Sequence, residues 1–257
     1  MSNRYDKQTT TFDKAGRIFQ VEYAIEATKA AGPALGVLGS DCVLLVGEKK
    51  TSSKLLDQTK QAEKIFEIDD HVCCAVAGLT SDANTLIAKL RLYAQQYQYR
   101  YSEPIPVEQL VVHLCDFKQG YTQFGGLRPF GVSFLFAGYD KHYGFQLYQS
   151  DPAGKYDGWR AHSIGGWDNP MTNSTLKQDW SDGMSSDAVK ALVGKVMIKN
   201  GDTTTPDPEK FEMAVISRVS KDIVKYKRIG AKEVEKILSE ARAKEDAAEQ
   251  GGAASTS

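Results

Sequence analysis

The sharpest hydrophobic pattern in the chain lies between Gly16 and Ala27. Set out at about 100° per residue, Ile18, Phe19, Val21, Tyr23, Ala24, Ile25 and Ala27 cover most of a helix's circumference and leave Glu22, Glu26 and Lys29 as a narrow polar strip. Burying the five largest of these side chains is worth roughly 1.5 to 3 kcal/mol each. A helix of this kind has to be wedged between neighbours, either in the core of one chain or between chains.

The residues before it, 2–12, are polar, include the run Thr9, Thr10 and Thr11, and have no helical or clean strand period, which predicts a disordered terminus. After it, apolar runs Leu35 to Leu38 and Val43 to Val46 flank Gly39-Ser40-Asp41 and predict a hairpin. Ile65 to Ile68 and Val72 to Ala77 flank Asp69-Asp70 in the same way, and the unbroken apolarity of the second run predicts a strand covered on both faces. Thr80, Ser81 and Asp82 offer a helix cap, followed at helical spacing by Ala83, Leu86, Ile87, Leu90, Ala94 and Tyr97. Beyond Pro104 and Pro106, Val107, Leu110, Val111, Leu114, Phe117 and Tyr121 set a second helix.

Strands are then predicted at Val132 to Ala137, Tyr143 to Gln149 and Ala161 to Ile164, helices over about Pro170 to Trp180 and Ser186 to Lys199, a hairpin of Glu212 to Val219 with Ile223 to Ile229, and a charged helix from Glu233 to Ala248. The order implies an α+β chain of two stacked antiparallel sheets with helices outside. It divides into a polar segment 1–12, one large domain 13–232, and a C-terminal helix with a disordered tail over 233–257.

Composition narrows the possible chemistry. In 257 residues, 41% are hydrophobic and 25% charged, with a net charge of −1, so nothing draws the chain to nucleic acid or an anionic membrane. The start lacks an apolar signal stretch and no window approaches a membrane span, which predicts a soluble intracellular protein. Cys42, Cys73, Cys74 and Cys115 sit inside apolar runs and predict buried free thiols. His71, His113, His142 and His162 show no ligand spacing, so no metal is expected, and no glycine cluster has the spacing of a phosphate loop.

Two blocks carry a resemblance. Phe12, Gly16 and Arg17 followed by Gln20-Val21-Glu22-Tyr23-Ala24, with Glu26 and Ala27, match the N-terminal signature of the alpha subunits of the 20S proteasome. Some hundred residues later, the stretch from Tyr121 to Ser133, with Gly125-Gly126, Arg128-Pro129 and Gly131-Val132-Ser133, resembles a second block of that family. Glu63-Lys64-Ile65, Gly78, Asp151-Pro152 and Gly154 extend the likeness over nearly the whole chain. Cys115-Asp116 and the run Lys141 to Ser150 narrow it to one type within the family. One departure stands out: the family usually has Ser-Pro-Glu or Ser-Pro-Asp before the glycine, where this chain has Asp13, Lys14 and Ala15. Without the proline the turn lacks the ring that would fix φ near −65°.

The resemblance implies a four-layer αββα sandwich, the N-terminal-nucleophile hydrolase fold, with an added N-terminal helix. It implies a place in the outer ring of a barrel that controls substrate access to catalytic beta subunits. Catalytic members need a Thr, Ser or Cys at the start of the first core strand. Aligning Leu35-Gly36-Val37 with that start puts Gly32 at the nucleophile's position, so the chain reads as catalytically silent, with Glu48 and Lys64 near the supporting acid and lysine. The alternative is a free-standing hydrolase with another nucleophile.

By resemblance, residues 1–12 form a gate segment whose turn is held by Tyr5, Asp6, Gly16, Arg17 and Tyr23, and Lys64 and Gly78 line a pocket for activator tails, the alternative for Lys64 being a solvated surface lysine. Implied partners are neighbouring alpha subunits, beta-ring subunits and activator C-terminal tails, without nucleic acid, membrane or cofactor, in cytoplasm and nucleus.

Overall fold

A computed structural model describes residues 10–49, 55, 63–201, 207–220 and 223–253. Among these, helix α1 (Phe19–Lys29) precedes the hairpins β1 (Ala34–Leu38) with β2 (Cys42–Glu48) and β3 (Ile65–Asp69) with β4 (Val72–Gly78). Helices α2 (Thr80–Tyr101) and α3 (Val107–Gln123) follow, then β5 (Val132–Asp140), β6 (Gly144–Ser150), β7 (Tyr156–Gly158) and β8 (Ala161–Ile164). The chain closes with α4 (Pro170–Asp179), α5 (Ser186–Asn200), β9 (Phe211–Ser220), β10 (Ile223–Ile229) and α6 (Ala231–Ala253). One sheet has the order β10-β9-β2-β1-β8 and the other β3-β4-β5-β6-β7, with every pairing antiparallel.

Alternation along the strands builds the layers. In β4, Val72, Cys74 and Val76 pack with Leu86, Leu90, Leu110 and Leu114 of α2 and α3, while Cys73, Ala75 and Ala77 join the layer between the sheets. In β1 and β2, Leu35, Val37, Leu44 and Val46 pack against Val193, Val196 and Leu238 of α5 and α6, while Ala34, Leu38, Val43 and Leu45 face the other sheet. Three cores separate four layers, helix, sheet, sheet, helix, as the family resemblance implies. The run Val72 to Ala77, read as a strand covered on both faces, is such a strand, and β1 and β2 are buried in the same way.

Some local expectations change. Asp82 does not cap α2, whose start lacks a side-chain cap bond, because a stronger partner lies across the fold. β7 is an additional edge strand of only three residues, too short to leave a period. The C-terminal helix is longer than its charged stretch and runs through Gly251 and Gly252, where the sequence places a disordered tail; each glycine costs an established helix only about 1 kcal/mol. The last four residues lie outside the described ones. All four cysteines are free and buried. Among the described residues no helix is long and apolar enough to cross a membrane.

Candidate functional site

The segment that leads into β1 is held at the end of the sandwich by three elements. The 3-10 turn Gly165–Trp167 that follows β8 donates from Gly166 to the Ala31 carbonyl, 3.1 Å. From the end of β2, Glu48 N–H donates to the Pro33 carbonyl, 3.1 Å. From just before β3, Lys64 sends its amine into the same corner, donating to the Gly32 carbonyl at 2.9 Å and to the Val76 carbonyl of β4 at 2.8 Å. A Cβ placed on Gly32 would sit 3.0 Å from the Lys64 Nζ and 3.2 Å from the Glu48 carbonyl. Gly32, which the resemblance puts at the nucleophile's position, therefore lies beside the Lys64 amine, and Gly32 supplies neither hydroxyl nor thiol.

Lys64 is half-buried and directed inward, which removes the reading of it as a solvated surface lysine. Its stem crosses Gly47, where an added Cβ would meet Lys64 Cβ at 3.0 Å. Its backbone is fixed from the opposite sheet: the Glu212 carboxylate of β9 accepts from Lys64 N–H at 2.7 Å and Ile65 N–H at 3.1 Å, and pairs with Lys49 at 2.5 Å. Glu212 was not legible beforehand, because the contact spans 148 positions and strand periodicity carries no sign of it.

Gly78 ends β4 two residues beyond the Val76 carbonyl, at φ +135, where β4 presses on the turn into β5. A Cβ there would lie 2.1 Å from the Gly131 carbonyl, so only glycine fits. The same turn engages Asp82, whose carboxylate takes both Arg128 nitrogens, 2.7 and 2.9 Å, and Gly131 N–H, 2.9 Å. The Arg128 guanidinium holds the Asp82 carboxyl below the usual range. Thus the Arg-Pro-x-Gly block is a clasp between α2 and β5, directly behind Gly78.

Helix α1 lies against β4 and β5, with buried Thr28 accepting from Ser133 Oγ at 3.2 Å. It starts at Phe19 rather than Gly16, since Gly16 at φ +76 belongs to a preceding turn. Ile18, Phe19, Val21 and Ile25 are only partly covered, Tyr23 is 48% exposed, and Thr28 is the helix's sole buried residue. The helix is not an ordinary core helix of a single chain. Its apolar girth exceeds what the described residues cover. Tyr23 stacks on Phe19, over which Arg17 also lies at 5.0 Å. Tyr5 and Asp6 lie outside the described residues, so Gly16, Arg17 and Tyr23 stand together at the start of α1, and Gly32, Lys64 and Gly78 stand at the corner behind its end.

The sandwich and this corner define a proteasome-type subunit, and comparison with known proteins agrees. Residues 28–216 match the proteasome subunit family, and residues 5–27 match the N-terminal signature of the A-type proteasome subunits. The chain belongs to the proteasome subunit family, among its alpha subunits. It is 55% identical over 242 residues to the alpha type-4-1 proteasome subunit of Oryza sativa subsp. indica, covering 94% of this chain and 96% of that one. It is 54% identical over 238 residues to alpha type-4-A of Arabidopsis thaliana, covering 93% and 95%, and 52% identical over 249 residues to alpha type-4 of Spinacia oleracea, covering 97% and 99%. The narrowing of the resemblance by Cys115-Asp116 and the run Lys141 to Ser150 pointed to this type, the third eukaryotic alpha subunit.

Proposed function

We propose that this chain is a non-catalytic scaffold and gate subunit in the alpha ring of the 20S proteasome core, in cytoplasm and nucleus. It contacts neighbouring alpha subunits and the beta ring, admits substrate through the segment before α1, and receives activator C-terminal tails near Lys64. The observation that carries the reading is Gly32: the position where catalytic members keep a nucleophile has no side chain, and the Lys64 amine crowds the space one would need. The incompletely covered α1 supports the ring, since a second subunit would bury the rest of its apolar surface.

Recovery of the chain, tagged at Ser257, in a multi-ring particle whose threonine-directed inhibitors label only its partners is the expected result. A lone labelled chain would overturn the reading. Deleting residues 2–10 should raise basal peptide hydrolysis by the assembled particle several-fold while inhibitor labelling of the beta subunits stays constant. Unchanged hydrolysis counts against a gate here. Lys64→Ala should weaken docking of activator tails by about tenfold or more, the worth of one charge-assisted hydrogen bond, with native mass retained. Equal affinity in the intact variant particle would remove Lys64 from the pocket.

A further inference from the structure

At the end of β1 opposite Gly32, residues from both sheets wall a groove. Trp159 and Arg160 carry the chain from β7 in one sheet to β8 in the other: Trp159 N–H donates to the Leu147 carbonyl of β6, and the Arg160 carbonyl accepts Leu38 N–H of β1, both at 2.8 Å. The crossing leaves both side chains exposed. A cavity of about 530 Å³ lies beside Arg160, walled by Leu38, Tyr143, Phe145 and Trp180, and reaches Arg218 of β9. A second, of about 240 Å³, shares Arg160 and Tyr143 with the first and extends to Trp159. Its aromatic walls are held in place: the Trp180 indole N–H donates to the Leu38 carbonyl at 3.0 Å, and Trp159 stacks on His162 with ring centres 4.0 Å apart.

Charge decides what such a groove takes. Arg17, Arg128 and Arg228 each pair with a carboxylate. Among the described residues Arg160 and Arg218 do not; they rest on aromatic faces, Arg160 at 6.0 Å from the Trp180 ring, Arg218 at 5.5 Å from the Tyr139 ring and 3.4 Å from its hydroxyl. A guanidinium held this way keeps its fork of N–H donors for an incoming carboxylate. Asp182 lines the same end as Arg218, so the groove sets two positive charges against one negative, a balance suited to a peptide rather than to a polyanion. Towards the other end Tyr143 is 74% exposed and Trp159 39%, an apolar surface for a large side chain. We propose that this groove docks an extended acidic segment of a partner protein, its carboxylates meeting Arg218 and Arg160 and a large apolar side chain lying along Tyr143 towards Trp159. The groove stands apart from the Gly32 and Lys64 corner, so docking here does not depend on activator tails binding there.

The test uses assembled particles, their beta-subunit sites blocked by inhibitor, and the C-terminally amidated, fluorescein-labelled peptide Ser-Glu-Asp-Glu-Trp-Leu-Gly, read by fluorescence anisotropy. The parent should bind it about tenfold or more tightly than a counterpart with Gln and Asn in place of the acidic residues. Arg160→Ala and Arg218→Ala should each weaken binding by about five- to tenfold, and Trp159→Ala by a similar factor. Asp182→Asn, which removes the opposing charge, should tighten it by about two- to threefold, a gain that no folding defect imitates. Lys64→Ala, at the other end of β1, should bind the probe as the parent does. Equal affinity for the amide counterpart overturns the proposal, as does parental affinity in the Arg160→Ala, Arg218→Ala double variant or a loss of binding in Lys64→Ala. An acidic peptide with alanine for Trp and Leu that binds as tightly as the probe, and is displaced by tripolyphosphate, would mark a bare anion site and overturn it. Binding by the purified chain but not by the particle would show that a ring neighbour already covers the groove, and would overturn it as well.

Discussion

Replacing Lys118 by alanine is expected to destabilise the chain by about 3 to 5 kcal/mol, a large share of the roughly 5 to 15 kcal/mol that holds a domain together. Lys118 lies on α3 and is wholly buried. Its ammonium donates to the Val132 carbonyl at 3.0 Å, Ser150 Oγ at 3.0 Å and the Asp151 carbonyl at 3.2 Å, and it sits 4.8 Å from the centre of the Phe134 ring. One side chain therefore ties α3 to the start of β5, the end of β6 and the turn that follows. Alanine would leave the buried Val132 carbonyl and the half-buried Asp151 carbonyl without that donor, and a void where the stem ran. Chemical denaturation of the purified chain checks the loss; a change under about 1 kcal/mol would mean that the three acceptors find other donors.

The same lysine gives a pH signature. Burial pushes its pKa down from 10.5 to about 8, a preference for the neutral form worth about 3 kcal/mol. With the folded value below the unfolded one, the unfolded chain binds more protons between them, so this residue's contribution to stability rises with pH from about 8 towards 10.5. Lys118→Met keeps the stem's volume, lacks the titration, and should lose stability relative to the parent increasingly as pH rises through that window. Burial also raises the thiols of Cys73 and Cys74, which act in the opposite direction in both proteins, so the quantity to read is the difference between the two profiles.

Why Lys118 escaped the sequence reading shows where such a reading stops. The apolar spacing of Val111, Leu114 and Tyr121 was enough to place α3. Lys118 falls four residues after Leu114 and seven after Val111, on the same buried face, and a lysine there is a signal that periodicity treats as noise. The strands were legible because a sheet covered on both sides writes its burial as an unbroken apolar run, as in Val72 to Ala77. Asp82 was legible as a residue type suited to a helix start, yet Arg128, 46 positions away, outcompeted the local backbone for its carboxylate. At the corner behind α1, Gly32, Lys64 and Gly78 came from resemblance alone. That the Lys64 amine reaches Gly32 required the fold, since it depends on β3 and β4 standing across the sandwich from β1.

Gly78→Ala is expected to be the most damaging single-methyl change at this corner. At φ +135 an alanine carries backbone strain of about 1 to 3 kcal/mol, before any contact is counted. The new Cβ would also lie 2.1 Å from the Gly131 carbonyl and 2.8 Å from Val132 Cα, and both neighbours are backbone. Neither can swing aside: Gly131 O accepts Leu79 N–H at 2.9 Å, and Gly131 N–H is held by Asp82. Relief has to come from parting β4 and β5 where α2 begins, so a total loss of about 3 kcal/mol or more is expected, lowering the thermal midpoint by some 6 to 12 °C. Thermal unfolding checks it, and a midpoint within about 2 °C of the parent would show that the two strands can part cheaply. The consequence reaches the pocket. Failure of Gly78→Ala particles to bind activator tails would follow from a displaced strand end whether or not a tail touches residue 78, and because the Lys64 amine also ties Gly32 to Val76, the docking of Lys64→Ala particles has to be read beside their thermal midpoint.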